Sequence, residues 1–136
     1  MVFEFSQKVL FKHCDPAGIV FYPRYFEMIN DCIETFFSDV IGWPFEEMHK
    51  TGGVPTVQIN TKFSVPSRHG DQLLLKLTAT ELGERSFAAN ITAYANNEER
   101  FSADTVLVYV NEAGRPTSWP ESHKIKIFSF MRSEND

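Results

Sequence analysis

An aspartate, a proline, a glycine and then the start of a long apolar run form the stretch of this chain best suited to chemistry. Asp15 precedes Pro16, which fixes its own φ and offers no backbone donor, and Gly18, which permits backbone angles closed to other residues. Residues 15–22 therefore read as an irregular loop. From Pro23 the pattern changes: Phe26, Ile29, Ile33, Phe36, Phe37 and Val40 recur at helical spacing and trace one apolar stripe. Proline is tolerated in a first turn because its missing N–H would have had no partner there, and Gly42 and Pro44 supply the stop. The free N–H groups of such a first turn carry partial positive charge and can receive a developing oxyanion. A carboxylate, a short loop and an oxyanion-binding helix end are the parts an acyl-transfer site needs. The alternative use of Asp15 is to cap the turn that reaches Gly18.

The elements that must position these groups follow from the alternation of apolar residues. Residues 2–12, with Phe3, Phe5, Val9 and Phe11 apolar, fit a first strand that delivers Asp15. After the helix, 43–51 is a connection in which Trp43 either plugs the end of the core or faces a ligand. In 54–63, Val57, Ile59, Thr61 and Phe63 point one way and Gln58, Asn60 and Lys62 the other, as in a half-buried strand. Pro66 and Gly70 mark a turn before a strand over 73–82, with Leu73, Leu75, Leu77 and Ala79 on one face. Gly83 turns the chain into a strand at 87–95, Asn96-Asn97 is a hairpin signal, a fifth strand spans about 100–110, and 114–116 closes it. Residues 119–130 fit a short helix or strand, with Pro120 at its start, and the polar tail 132–136 is expected to fray. One strand, a long helix apolar all round, and four antiparallel strands make an α+β arrangement in which a sheet wraps a buried helix.

Composition narrows the function classes. A chain of 136 residues is expected to be a single domain, 1–136, that buries roughly two-thirds of its unfolded surface without disulfides. With only Cys14 and Cys32, a reduced, cytoplasmic protein is expected, and the first residues, Met1 to Phe5, lack the basic stretch of a secretory leader. No apolar run nears the ~20 residues of a membrane span. The net charge of −5 argues against nucleic acid as a partner. Thirteen phenylalanines point to a thick core or a subunit interface before they point to an aromatic ligand.

The run His13-Cys14-Asp15-Pro16-Ala17-Gly18-Ile19-Val20-Phe21-Tyr22-Pro23 closely resembles the active-site segment of the 4-hydroxybenzoyl-CoA thioesterase family, whose pattern is Asp-x-x-Gly-hydrophobic-Val-aromatic before a long helix. The resemblance implies the hot-dog fold, a curved antiparallel sheet wrapped around one long central helix, and hydrolysis of an acyl-CoA thioester. It implies that Asp15 acts as nucleophile or general base, that Gly18 belongs to the substrate-binding loop, and that the Tyr22 N–H receives the oxyanion. It further implies that Arg85 and Ser86, in the segment Arg85-Ser86-Phe87, hold the CoA phosphates. Arg68 and Arg115 are lesser candidates that a homo-oligomer would bring to a neighbour's site. The helix position that meets a substrate phenol in the family falls on Asn30, with Asp31 beside it. Asparagine can hydrogen-bond a hydroxyl but lacks the charge, so an aromatic or short acyl-CoA is expected in place of 4-hydroxybenzoyl-CoA specifically. Related folds pair their helices and sheets, which implies a homodimer or homotetramer.

Two other readings stand beside this one. A hot-dog dehydratase or isomerase would rely on a site histidine. His13, on an extended segment that would turn it to the same side as Asp15 or leave it simply exposed, is the only candidate near the loop. A non-catalytic acyl-CoA binding module would bind without turnover. His49, His69 and His123 show no metal-ligand spacing, so neither a metal nor any cofactor beyond the CoA thioester itself is expected.

Overall fold

The computed structural model describes residues 1–132; most of the tail expected to fray, 133–136, lies outside the described residues. The chain runs β1 (Phe3–Lys8), a 3-10 turn (Phe11–His13), α1 (Pro23–Phe36), a π turn (Phe37–Ile41), α2 (Phe45–Met48), β2 (Gly52–Gly53), β3 (Thr56–Phe63), β4 (Gln72–Leu82), β5 (Ser86–Ala95), β6 (Glu98–Val108), β7 (Val110–Asn111) and α3 (Glu121–Arg132). Five strands form one antiparallel sheet in the order β1-β4-β5-β6-β3, and β2 pairs with β7 apart from it. This is the α+β, hot-dog arrangement expected: a sheet wrapped on a long helix.

The helix forms where the stripe predicts it, but its buried face is shifted. Tyr25, Met28, Ile29, Cys32, Ile33 and Phe36 are buried, while Arg24, Glu27, Asn30, Asp31 and Glu34 are exposed, so α1 is amphipathic and not apolar all round. It ends through the π turn at Gly42, whose φ of +71° is the left-handed value that glycine adopts freely. Phe36 sits at the centre of the core, with ring centroids of Phe3, Phe37, Phe87 and Phe130 5.0–5.8 Å away. The alternating Leu73, Leu75, Leu77 and Ala79 of β4 present the sheet's inner face to it, all of them buried.

Two expectations need correction, and the choice left open at the C-terminus, helix or strand, is decided. The first strand stops at Lys8, because Val9 instead bonds the turn at Gly70 and Asp71 and the chain then coils into the 3-10 turn. Strand β3 is not half-buried: Val57, Ile59 and Phe63 are 59%, 39% and 48% exposed, since β3 is a sheet edge that α1 meets at Phe63, whose ring packs against Tyr25 and Phe26. The C-terminal segment is a helix, α3, which packs Ile127 and Phe130 against the core.

Candidate active site

The loop before α1 is held shut by its own backbone. Asp15 N–H donates to Ile19 O at 2.9 Å, Gly18 N–H donates to Asp15 O at 2.9 Å, and Gly18 adopts φ +81°. Outside this closure Cys14 pairs with Val20 and Ile19 with Arg68, so the loop is a small antiparallel excursion pinned to the chain at 67–68. Val20 N–H donates to Ser67 O at 2.8 Å, completing the attachment.

Within it, the Asp15 carboxylate does what turn aspartates do and keeps something in reserve. Oδ1 accepts from Ala17 N–H at 2.9 Å, which fixes the carboxylate's orientation, while Oδ2 accepts no hydrogen bond among the described residues. Asp15 is half-buried.

At the helix start, Phe21 N–H is engaged by His13 O and Arg24 N–H by Phe21 O. Pro23 has no N–H, and the Tyr22 N–H donates to nothing among the described residues. The Tyr22 ring is 57% exposed, edge-on to Phe21 and Phe63. Tyr22 lines a cleft of about 460 Å³ with Ile19, Val20, Tyr25, Phe63 and Arg100. Thus a carboxylate with a free oxygen and a helix end with a free donor sit at the two ends of one closed loop.

Not every expected residue joins them. Arg68 does, through its backbone pairing with Ile19. Asn30 lies in a separate cleft with Lys12, Phe26, Glu27 and Asp31. Arg85 and Ser86 lie at the far end of β4, beyond Leu82, whereas the loop lies beside its start; at ~3.3 Å per residue that strand puts them roughly 33 Å from it. Arg115 is in the turn after β7. His13 is not on an extended segment and not exposed: it ends the 3-10 turn, only 4% exposed, and its Nδ1 accepts from Leu10 N–H at 2.9 Å. Burial and the neighbouring Lys12 lower its pKa, which favours the neutral ring that this bond requires. Trp43 stacks on His123 at 3.9 Å and against Tyr109, closing the end of the core.

The structure adds a network the sequence does not announce. Arg100 on β6, 6% exposed, donates from Nη1 to Asp71 Oδ2 at 2.7 Å, Ser67 Oγ at 3.1 Å and Pro66 O at 3.3 Å. Tyr25 of α1 donates to the same Ser67 Oγ at 2.8 Å. Burial pushes the Tyr25 hydroxyl's pKa up. Asp71 also accepts from Arg68 N–H at 2.9 Å; that bond, with the Arg100 guanidinium, holds its carboxyl below the usual range. These residues brace segment 64–71, which in turn holds the loop. The one sequence signal was an arginine next to inward-facing Phe101, and alternation alone would have placed it in solvent.

Among the described residues no three His, Cys, Asp or Glu side chains gather as a metal site requires, and no helix is long and apolar enough to cross a membrane.

Comparison with known proteins follows this geometry. Residues 9–127 match the family model described as the thioesterase-like superfamily. Among solved structures, a 1,4-dihydroxy-2-naphthoyl-CoA thioesterase from Synechocystis is 18% identical with a TM-score of 0.85, covering 100% of this chain and 99% of that one. A gentisyl-coenzyme A thioesterase is 26% identical with a TM-score of 0.82 over 93% of this chain and 98% of its own. The 4-hydroxybenzoyl-CoA thioesterase from Pseudomonas sp. strain CBS-3 is 23% identical with a TM-score of 0.80 over 90% and 96%. No curated protein sequence matches.

Proposed function

This chain belongs to the thioesterase-like superfamily, and we propose that it hydrolyses an acyl-CoA, aromatic or short in its acyl group, to the free acid and CoA. The observation that carries this is the pairing of Asp15, one oxygen tethered and one free, with the unpartnered Tyr22 N–H at the start of α1. In this reading the thioester carbonyl points at the helix start. Either Asp15 attacks its carbon, or Asp15 takes a proton from a water that attacks; the oxyanion is received by Tyr22 N–H, and the C–S bond breaks as sulfur leaves and takes up a proton. On the first route the acyl group is left on Asp15 as a mixed anhydride, which water then hydrolyses to the free acid, restoring the carboxylate. A fixed backbone donor stabilises the charge as it develops, and losing one typically costs ~10² to 10³ in rate.

The separation of Arg85 and Ser86 from the loop implies that CoA phosphates are held by a second copy of the chain. The exposed edge strand β3, with Val57 and Ile59 in solvent, supports a homo-oligomer formed along it. Sedimentation of wild type and Ile59→Lys tests this; a wild-type monomer would refute it.

Release of free thiol from a panel of acyl-CoAs, aliphatic from acetyl to palmitoyl and aromatic from benzoyl to 4-hydroxybenzoyl, tests the reaction. Wild type should turn over at least one member and Asp15→Asn should lose orders of magnitude on it. Equal inertness of both would replace this reading with that of a binding module. Activity that survives in Asp15→Asn and disappears in His13→Ala would favour a dehydratase or isomerase.

A further inference from the structure

His13 ties the 3-10 turn to the start of α1. Its backbone N–H donates to Leu10 O at 3.0 Å and its Nδ1 accepts from Leu10 N–H at 2.9 Å, so the two residues close a ring that keeps the turn wound. On the other side His13 O accepts from Phe21 N–H at 2.9 Å, the outermost rung of a ladder that continues through the pairing of Cys14 with Val20 and the bond from Asp15 N–H to Ile19 O. Phe21 O in turn accepts from Arg24 N–H at 2.8 Å. That carbonyl and the Tyr22 N–H belong to one planar trans peptide, so fixing the first aims the second the opposite way.

Side chains that reach back three residues to a backbone N–H at a helix start are ordinarily Glu or Gln. Histidine differs, because a proton on Nδ1 turns this acceptor into a donor facing a donor. We infer that His13 is a positioning residue for the proposed oxyanion donor: its neutral Nδ1 keeps the turn wound, the wound turn keeps the 13–21 ladder in place, and the ladder aims the Tyr22 N–H. The inference rests on the thioesterase reading for what that N–H receives. The ring is 4% exposed and feels Lys12 in its own turn and Arg24, Glu27 and Asp31 on α1, while His69 of segment 64–71 packs on Phe11 of the same turn. Burial, then Lys12 and Arg24, oppose a proton on the ring and outweigh Glu27 and Asp31, so the folded pKa lies below the ordinary 6.5. The bond to Leu10 is therefore intact at neutral pH and is lost as pH falls through that lower folded value.

The test compares wild type with His13→Asn, whose Oδ1 is bonded to Cγ as Nδ1 is and accepts a hydrogen bond without titrating, and with His13→Ala, which offers no acceptor. On the best thioester of the acyl-CoA panel, His13→Ala should lose about 10- to 100-fold in kcat with KM within about threefold, and His13→Asn should restore kcat to within about threefold of wild type at pH 7.5. The ratio of wild-type to His13→Asn kcat, in which groups common to both cancel, should be flat above pH 7 and fall by roughly threefold or more on the way to pH 4.5. Amide hydrogen exchange at neutral pH gives a readout without turnover: protection at Leu10 and Phe21 should be lost in His13→Ala and kept in His13→Asn, while the central strand β5 stays protected in all three. Should His13→Ala not fold, the pH dependence of the ratio and the protection in His13→Asn carry the test. A ratio flat down to pH 4.5, a His13→Asn no better than His13→Ala, or protection at Phe21 that His13→Ala leaves unchanged overturns the inference. If no thioester is turned over while the protection pattern holds, the hydrolase reading alone is refuted.

Discussion

Replacing Asp71 with alanine isolates the brace that holds the loop before α1. The change removes the carboxylate 2.7 Å from the Arg100 guanidinium and the acceptor for Arg68 N–H, and leaves a cation that is 7% exposed with only neutral partners on Nη1. Breaking a fully buried pair typically costs ~3–5 kcal/mol. The Asp71 side chain is 29% exposed, so water screens part of the interaction and the expected loss is about 2 kcal/mol. For a chain of this size that lowers the thermal midpoint by roughly 6–10 °C.

The loss should also depend on pH in a definite direction. The Arg68 N–H and the Arg100 guanidinium hold the Asp71 carboxyl below its ordinary value. Its stabilising contribution is therefore complete above the unfolded value, about 3.9, and disappears as pH falls through the lower folded value. Urea unfolding of wild type and Asp71→Ala at fixed protein concentration, at steps from pH 7 to pH 2.5, should give curves about 2 kcal/mol apart at neutral pH that converge below pH 4. A difference under about 0.5 kcal/mol at pH 7 would mean the pair is only a surface contact, and a difference that does not shrink as pH falls from 4 to 2.5 would show that charge is not its source.

Gly18→Ala meets no atom within 4 Å of the added Cβ, so its cost should be that of the +81° backbone alone, roughly 1–2 kcal/mol by urea unfolding; a neutral outcome would show that the loop relaxes. Tyr22→Phe should keep thiol release within about threefold, because the proposed donor is backbone, and near-complete loss would assign the role to the hydroxyl. Cys32 is fully buried and its thiol pKa is pushed up to about 12, so native protein at pH 8 should be alkylated at Cys14 and spared at Cys32, as read by mass spectrometry.

The division between what was legible and what was not follows from the range of each interaction. The 15–23 segment was legible because its determinants are local: a proline, a glycine and a turn-forming aspartate set the loop within a few residues, and a first-turn proline with a helical apolar stripe sets the helix after it. The α+β order and the inner face of β4 were likewise legible, since period-two and helical patterns are properties of consecutive residues. The same patterns misjudged β3, where alternation was real but the strand lay at an edge; which strands are central is set by sheet order, a long-range property. They also misplaced the helix's buried face: Phe26 and Val40 are only partly buried, whereas Tyr25, Met28 and Cys32 are core. His13, read as a candidate base or a merely exposed side chain, became a buried anchor of a 3-10 turn for a similar reason. Arg100 was invisible, since a charged residue within a strand reads as exposed until Asp71, Ser67 and Tyr25, which lie 29 to 75 positions away in the chain, are brought around it. By itself the sequence determined the loop, the helix and the order of the elements, all of which depend on neighbours in the chain. Only the tertiary structure decided that Tyr22 and Arg100 share a cleft while Arg85 and Ser86 stand a strand's length away, because those relations are fixed by packing and not by spacing.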